Sequence, residues 1–413
     1  MGLVPTEVAG HYTVSGSERL ELGQDGHLSR LEGMEQLHSG ESTGRGTAST
    51  TTELNLTRVE TGRSDAQIGA FDRAWPWLVT RGPGQPQRAE RLAADLDRQT
   101  AGRASFEALH AELRGFQGDG AARERALMLP RLEARFRLNP EAAATAARSI
   151  LAGTETPDTV RTLVGALTGA GTPEAQRALA EVMASSEVDL HTQVDAMSGL
   201  GTSKRPTADS IAALSKAMTS DDPLLRDTAV LATGNAARGQ AKVGDSNSDA
   251  LESLTVGLDA AQSDADVASY LRGLGNAGDA STLDLIEGHL ASPSAEVRHA
   301  AIRALRFQGD QADELLGGLL ADFASAPEGD LEAAVFSASF RPLETLLEPI
   351  GRALRGSQDE SLRRSIVALL TTRRAGHPEA TALLQWTAQN DASAALRADA
   401  AKALATSTLI PAP

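Results

Sequence analysis

One helical phrase returns along this chain and constrains its fold more than any other feature. Residues 222–236 read DPLLRDTAVLATGNA, residues 293–309 read PSAEVRHAAIRALRFQG and residues 391–405 read DASAALRADAAKALA. Each copy opens on Asp, Pro or Ser, places an Arg in the first turns and then runs into an Ala/Leu stripe. A phrase repeated in this way marks stacked helical hairpins, because one hairpin cannot bury its apolar face alone. Residues 294–307 show the logic: Val297, Ala300, Ala301, Ala304 and Leu305 follow the spacing of one helical face. Ser294 stands where an N-cap belongs and Gly309 where a helix stops.

Short Gly, Pro or Asp punctuation divides the chain after residue 86 into helices. Three come first, with Pro130 expected to kink or break the third. Pairs follow at 140–152 and 157–169, 173–185 and 188–200, 207–218 and 222–237, and 248–261 and 264–276. The last pairs fall at 280–291 and 294–307, 311–325 and 329–340, 343–355 and 360–373, and 378–389 and 393–406. Residues 239–250 read as a polar loop. Aromatics make up only 3% of the chain, so Ala and Leu must do the packing. Small faces let helices approach closely, which suits a thin two-layer stack. The expected fold is therefore mainly α, a HEAT-like α-solenoid over residues 86–406.

The N-terminal residues follow another period. Tyr12 with Val14, Leu20 with Leu22, and Leu54 with Leu56 alternate as strands do, and Asp25-Gly26 is a hairpin signal. Residues 1–62 are read as a small antiparallel β segment of three to five strands. Residues 63–85 form a connector in which Phe71, Trp75 and Trp77 anchor the junction, ending in a Pro/Gly run. Residues 407–413 form a tail.

Net charge bounds the partners. At −16, the chain repels nucleic acid, which normally needs a basic stripe, and anionic membrane surfaces for the same reason. Lys204, Lys216, Lys242 and Lys402 are its only lysines, and its wealth of Ala, Gly and Arg reads as a high-GC bacterial genome. The absence of cysteine removes disulfides, Cys-ligated zinc and a Cys nucleophile. No run is apolar enough for a signal peptide or a membrane span.

Motifs that carry chemistry are scarce. His11, His27, His38, His110, His191, His289, His299 and His377 form no HExxH pair and share no helix turn. There is no GxSxG elbow, and the glycines before Thr172 lack the Lys-Ser/Thr of a phosphate loop. Asp221-Asp222 sits at a helix start, where free N–H groups favour anions. Asn55-Leu56-Thr57 matches a glycosylation sequon. The expectation is no enzyme, no cofactor and no metal. Arg226, Arg272, Arg298, Arg303, Arg306, Arg363 and Arg364 all lie on the second helix of an expected hairpin. A row of such arginines could clamp an acidic peptide or a lipid headgroup. The opposing expectation is pairing with Asp and Glu of adjacent repeats.

Three of the repeats carry a family wording. LVGALTGAGTPEAQRAL at 163–179, SYLRGLGNAGDASTLDLIEGHL at 269–290 and VRHAAIRALR at 297–306 occur in the order in which they stand in the helical domain of vitellogenin-type large lipid transfer proteins. Over roughly residues 85–406 the chain resembles that helical arch. The resemblance implies a β-barrel ahead of the arch, an extracytoplasmic location and a role in lipid transport. It carries over no single binding residue, because the family's lipid cavity is made mostly by sheets that follow the arch. Those sheets have no counterpart between residue 406 and Pro413, and the β segment is shorter than a whole barrel. The functional expectation is a scaffold presenting a curved surface to a protein partner. A lipid-binding module acting with sheets outside this chain is the alternative. Oligomeric state is not legible.

Overall fold

The computed structural model describes residues 12–22, 28–39, 49–57 and 86–405, save positions 119 and 328, with side chains described from residue 93. Three strands, β1 (Tyr12–Leu22), β2 (Leu28–Ser39) and β3 (Ser49–Thr57), pair antiparallel in the order β1-β2-β3. Their register sets Leu20 opposite Leu31 and Leu31 opposite Leu56, with one irregularity between Glu21 and Leu22. The Asp25-Gly26 turn, the aromatic connector and the tail lie outside the described residues. Strands and helices fall in separate units, the helical one spanning Gln85–Thr408.

The helical unit opens with α1 (Pro86–Ala101), α2 (Phe106–Arg114), α3 (Ala121–Leu138) and α4 (Pro140–Leu151). Next come α5 (Pro157–Ala170), α6 (Pro173–Ala184), α7 (Leu190–Gly201), α8 (Ala208–Ala217) and α9 (Pro223–Val243). The middle holds α10 (Ser248–Ala260), α11 (Asp264–Ala277), the short α12 (Leu283–Glu287) and α13 (Ala295–Ala304). It closes with α14 (Gln311–Ala321), α15 (Asp330–Ala338), α16 (Leu347–Gly356), α17 (Glu360–Arg373), α18 (Pro378–Asn390) and α19 (Ala394–Ala405).

Local chemistry explains the starts. Asn139, Thr156, Thr172 and Asp222 each cap a first-turn N–H with a side-chain oxygen, and each is followed by a proline at the first helical position. The cap satisfies a donor the helix cannot, and the proline loses only an N–H that had no intrahelical partner.

Odd-numbered helices stack on one another from α1 to α19, and even-numbered helices form the second layer. The core runs between the layers as a string of buried Leu and Ala, including Leu163, Leu167, Leu179, Leu200, Leu214, Leu254 and Leu274. The odd layer is unusually close in its middle. A Cβ on Gly201 would stand 2.7 Å from Ala232 Cα, one on Gly234 would stand 2.0 Å from the Gly273 carbonyl oxygen, and one on Gly275 would stand 2.5 Å from Ala304 Cα. Backbone therefore packs on backbone through α7, α9, α11 and α13. Asn276 adds a polar tie, donating from Nδ2 to the Leu231 carbonyl at 3.2 Å.

Four local expectations are corrected. Pro130 does not break α3; it is exposed, so the carbonyl it deprives of a donor lies on the solvent side. The helix expected to end at 237 continues to Val243, because Gly244 in the left-handed region supplies the stop. The helix expected at 280–291 shrinks to a 3-10 turn, Ala280–Thr282, and one short α-helix. Ser294 occupies the cap position of α13 but makes no cap bond; its own N–H donates to Ser292 Oγ.

Gly234→Ala is expected to destabilise the helical unit by about 1–3 kcal/mol, the usual cost of overpacking. Gly318→Ala, in α14 with nothing within 4 Å of the new Cβ, should stabilise it by about 0.5–1 kcal/mol. Urea midpoints of the two variants test the pair. A neutral Gly234→Ala would mean the odd layer is not in backbone contact there.

Candidate functional site

The arginine of the recurring phrase has a repeated local role. Arg226, Arg298 and Arg363 each stand four residues after the N-cap, Asp222, Ser294 and Asp359. Each folds back to donate through Nη1 to the carbonyl six residues earlier: Ser220 at 3.2 Å, Ser292 at 3.0 Å and Ser357 at 3.0 Å. The hydroxyls of those serines accept the N–H of Asp222, Ser294 and Asp359. Arg397 repeats the arrangement on Asp391, whose carbonyl takes the guanidinium and whose Oδ1 accepts the Ser393 N–H. The phrase is therefore a turn staple, written Ser or Asp, any residue, Asp or Ser, three residues, then Arg.

The same guanidiniums reach the next repeat. Arg226 pairs with Asp266 at 3.2 Å, Arg298 with Asp330 at 3.1 Å and Arg363 with Asp391 at 2.9 Å. Arg363 and Asp391 are almost fully buried, with side-chain exposures of 9% and 1%. Burial pushes the Asp391 carboxyl up. The Arg363 hydrogen bond, the Ser393 N–H and the charges of Arg363 and Arg397 outweigh it and hold the group below the usual carboxylate range.

The seven arginines singled out in the sequence thus do not form one row. Arg226, Arg298 and Arg363 are internal rungs. Arg272 and Arg364 are exposed but have carboxylate neighbours, Glu296 at 3.6 Å for Arg272, and Glu360 at 2.6 Å and Asp399 at 3.5 Å for Arg364. Arg303 and Arg306 differ: among the described residues neither is ion-paired to a carboxylate. They lie beside Arg238, a residue the sequence reading did not single out, and the same holds for it.

These three arginines frame three phenylalanines. The Arg238 guanidinium carbon sits 3.5 Å from the Phe307 ring centroid, and Arg306 approaches the same ring at 5.0 Å. Phe307 meets Phe340 edge-on at 5.2 Å, and Phe340 meets Phe336 at 5.2 Å. Arg303 stands over Phe336 at 5.6 Å. Phe336 and Phe340 are 44% and 47% exposed. Burial, then the charges of Arg238 and Arg303, depress the Arg306 pKa, and burial depresses that of Arg238. Arg306 is oriented by its bonds to the Arg303 carbonyl and to Asn276 Oδ1. The signals for this patch were present in the sequence: Arg306-Phe307, and Phe336 four residues before Phe340, in a chain with eight phenylalanines.

A cavity of about 720 Å³ lies between α14 and α16, where Asp310, Asp313, Glu314, Glu348 and Arg352 line it. Asp313 is held there by Arg341, which also donates to the Gln308 and Gly309 carbonyls. No described helix is long and apolar enough to cross a membrane.

Residues 139–325 match the vitellogenin TPR domain family, so the helical unit contains a vitellogenin-type module. Several solved structures are similar. They include the phycocyanin lyase complex of CpcE and CpcF from Nostoc, with 17% identity, 65% of this chain and 94% of that chain covered and a TM-score of 0.35. Human deoxyhypusine hydroxylase matches at 16% identity over 64% and 96%, TM-score 0.28. The HEAT-like repeat protein of Thermococcus onnurineus matches at 14% over 57% and 97%, TM-score 0.32. No curated protein matches. The expectation that the chain is not an enzyme is withdrawn: a phycocyanin lyase and a deoxyhypusine hydroxylase stand among the similar solved structures. At these scores no property of those proteins passes to this chain.

Arg363→Ala is expected to cost about 3–5 kcal/mol, because it strands a buried carboxylate, whereas Arg364→Ala should cost no more than about 1 kcal/mol. Denaturant midpoints of both variants decide it. Acid titration of the midpoint adds a second check. The Asp391 contribution is present above its unfolded pKa, about 3.9, and is lost as pH falls through its lower folded value. Asp391→Asn should therefore lose less stability on acidification than the wild type.

Proposed function

We propose that this chain, with its vitellogenin-type helical module over residues 139–325, is a binding scaffold that docks a protein partner on the odd-numbered helices. The observation that carries this reading is the half-exposed Phe336–Phe340 pair, framed by Arg238, Arg303 and Arg306. An exposed aromatic pair beside arginines is the composition that recurs at interface centres. A solenoid suits the task because each repeat adds surface without changing its neighbours.

The alternative, a lipid-binding module completed by sheets outside this chain, has less support. The cavity between α14 and α16 sets Asp310, Asp313, Glu314 and Glu348 beside Gly317, Gly318, Ala321, Pro342 and Pro349, so an acyl chain seated there would desolvate carboxylates. Location outside the cytoplasm remains part of the proposal through the family match only.

Affinity capture with immobilised protein tests the reading. Partner recovered by the wild type should fall at least about tenfold with Arg303→Glu/Arg306→Glu and with Phe336→Ser/Phe340→Ser. It should persist with Arg272→Glu, whose side chain is exposed and lies outside the patch. Equal recovery by all variants would remove the patch as the interface.

A further inference from the structure

The charges of the patch define what it would hold, an inference that rests on the scaffold reading above. We propose that Arg238, Arg303, Arg306, Phe336 and Phe340 recognise an acidic segment of a partner protein in which carboxylate side chains flank an apolar one.

Three observations support this chemistry. First, the patch keeps three guanidiniums together in a chain whose net charge is −16. Elsewhere in the odd layer Arg226, Arg298 and Arg363 meet carboxylates, and Arg373 and Arg397 end on backbone carbonyls. Here none meets a carboxylate among the described residues, although acids are the commonest charged groups in the chain. An anion from outside would complete the pattern that the ladder completes internally. Second, two of the guanidiniums, those of Arg238 and Arg306, are held before any ligand arrives. Phe307 carries Arg238 and Arg306 on its ring, and Asn276 together with the Arg303 carbonyl fixes the fork of Arg306. A guanidinium already positioned loses less entropy on pairing with a carboxylate, and its planar fork matches two oxygens at once. Third, the adjoining Phe336 and Phe340 expose apolar rings, which a bare anion would leave in water. An apolar side chain next to the acids would cover them.

The same features weigh against nucleic acid and membranes. Both present extended anionic surfaces, and contact over a wide area would bring them against a strongly acidic molecule. A short acidic segment brings its charge to the patch alone.

Selection from a phage library of random dodecapeptides on the whole chain tests the proposal. Enriched peptides should carry Asp or Glu beside Leu, Ile, Phe or Trp. The synthetic form of the strongest one should bind Arg303→Gln/Arg306→Gln at least about tenfold more weakly, and should weaken as salt rises. Arg303→Lys/Arg306→Lys should fall between, since charge remains and the fork does not. Thermal melts of the variants confirm that they are folded; should the glutamine pair fail to fold, Arg238→Gln alone serves in its place. Patch-dependent peptides without acids would overturn the acidic chemistry and leave the scaffold reading standing. Peptides indifferent to the patch, or no enrichment at all, would overturn both. Patch-dependent binding of phosphatidylserine vesicles tighter than any selected peptide would transfer the site to lipid and overturn the proposal as well.

Discussion

The helical unit depends on backbone meeting backbone in its odd layer. At Gly201, Gly234 and Gly275 the space a side chain would take is already filled by the next helix. Contact this close is available only to residues without a Cβ, and it forgoes the apolar area a larger side chain would bury. What replaces that area is dense contact between main chains, with Asn276 tying α11 to a carbonyl of α9. The GLGNAG wording at 273–278 thus has a physical meaning. It is the strip of α11 that must be thin because α9 and α13 press on it from both sides.

That thinness also builds the surface. Arg238 belongs to α9 and Phe307 follows α13, yet the guanidinium lies 3.5 Å from the ring centroid across the end of α11. Gly278, the left-handed stop of α11, leaves no side chain in the way: a Cβ there would stand 2.7 Å from the Phe307 carbonyl oxygen. A bulkier residue at either glycine of this strip would move α13 and separate the cation from the ring. The packing that defines the repeat and the patch that distinguishes this chain are consequences of one geometric demand.

Much of the architecture was legible because it is written locally. Cap residues, first-position prolines and the 3.6-residue stripe sit within one helix, and all but a few helices follow from them. The misses have local or tertiary causes. Pro130 is tolerated because its helix faces solvent at that position, and the period alone does not show which face that is. The expected end of α9 falls six residues early because the polar residues from 239 read as a loop, whereas the left-handed stop is Gly244. The arginines were found as a class, yet their division was hidden. Whether Arg298 is a rung or a clamp depends on Asp330, thirty-two residues on, and a helical period says nothing about a partner at that separation.

The division matters because the two sets of arginines answer the same electrostatic problem differently. A guanidinium taken from water must find acceptors, and a nearby carboxylate is the strongest one. Arg363 is buried with Asp391, so its charge is spent inside the molecule on holding α17 to the turn before α19. Arg306 accepts a poorer bargain: neutral oxygens, an aromatic ring and two like charges beside it. An arrangement of that kind lowers stability relative to a rung. Substituting Arg306 by a neutral residue would relieve the repulsion at the cost of its bonds to Asn276 and the Arg303 carbonyl and its contact with Phe307. A molecule with fifty-five acidic residues had ample means to pair it. On the proposed reading the unmatched charge serves a ligand from outside, and Phe307 and Asn276 keep Arg238 and Arg306 in place for it.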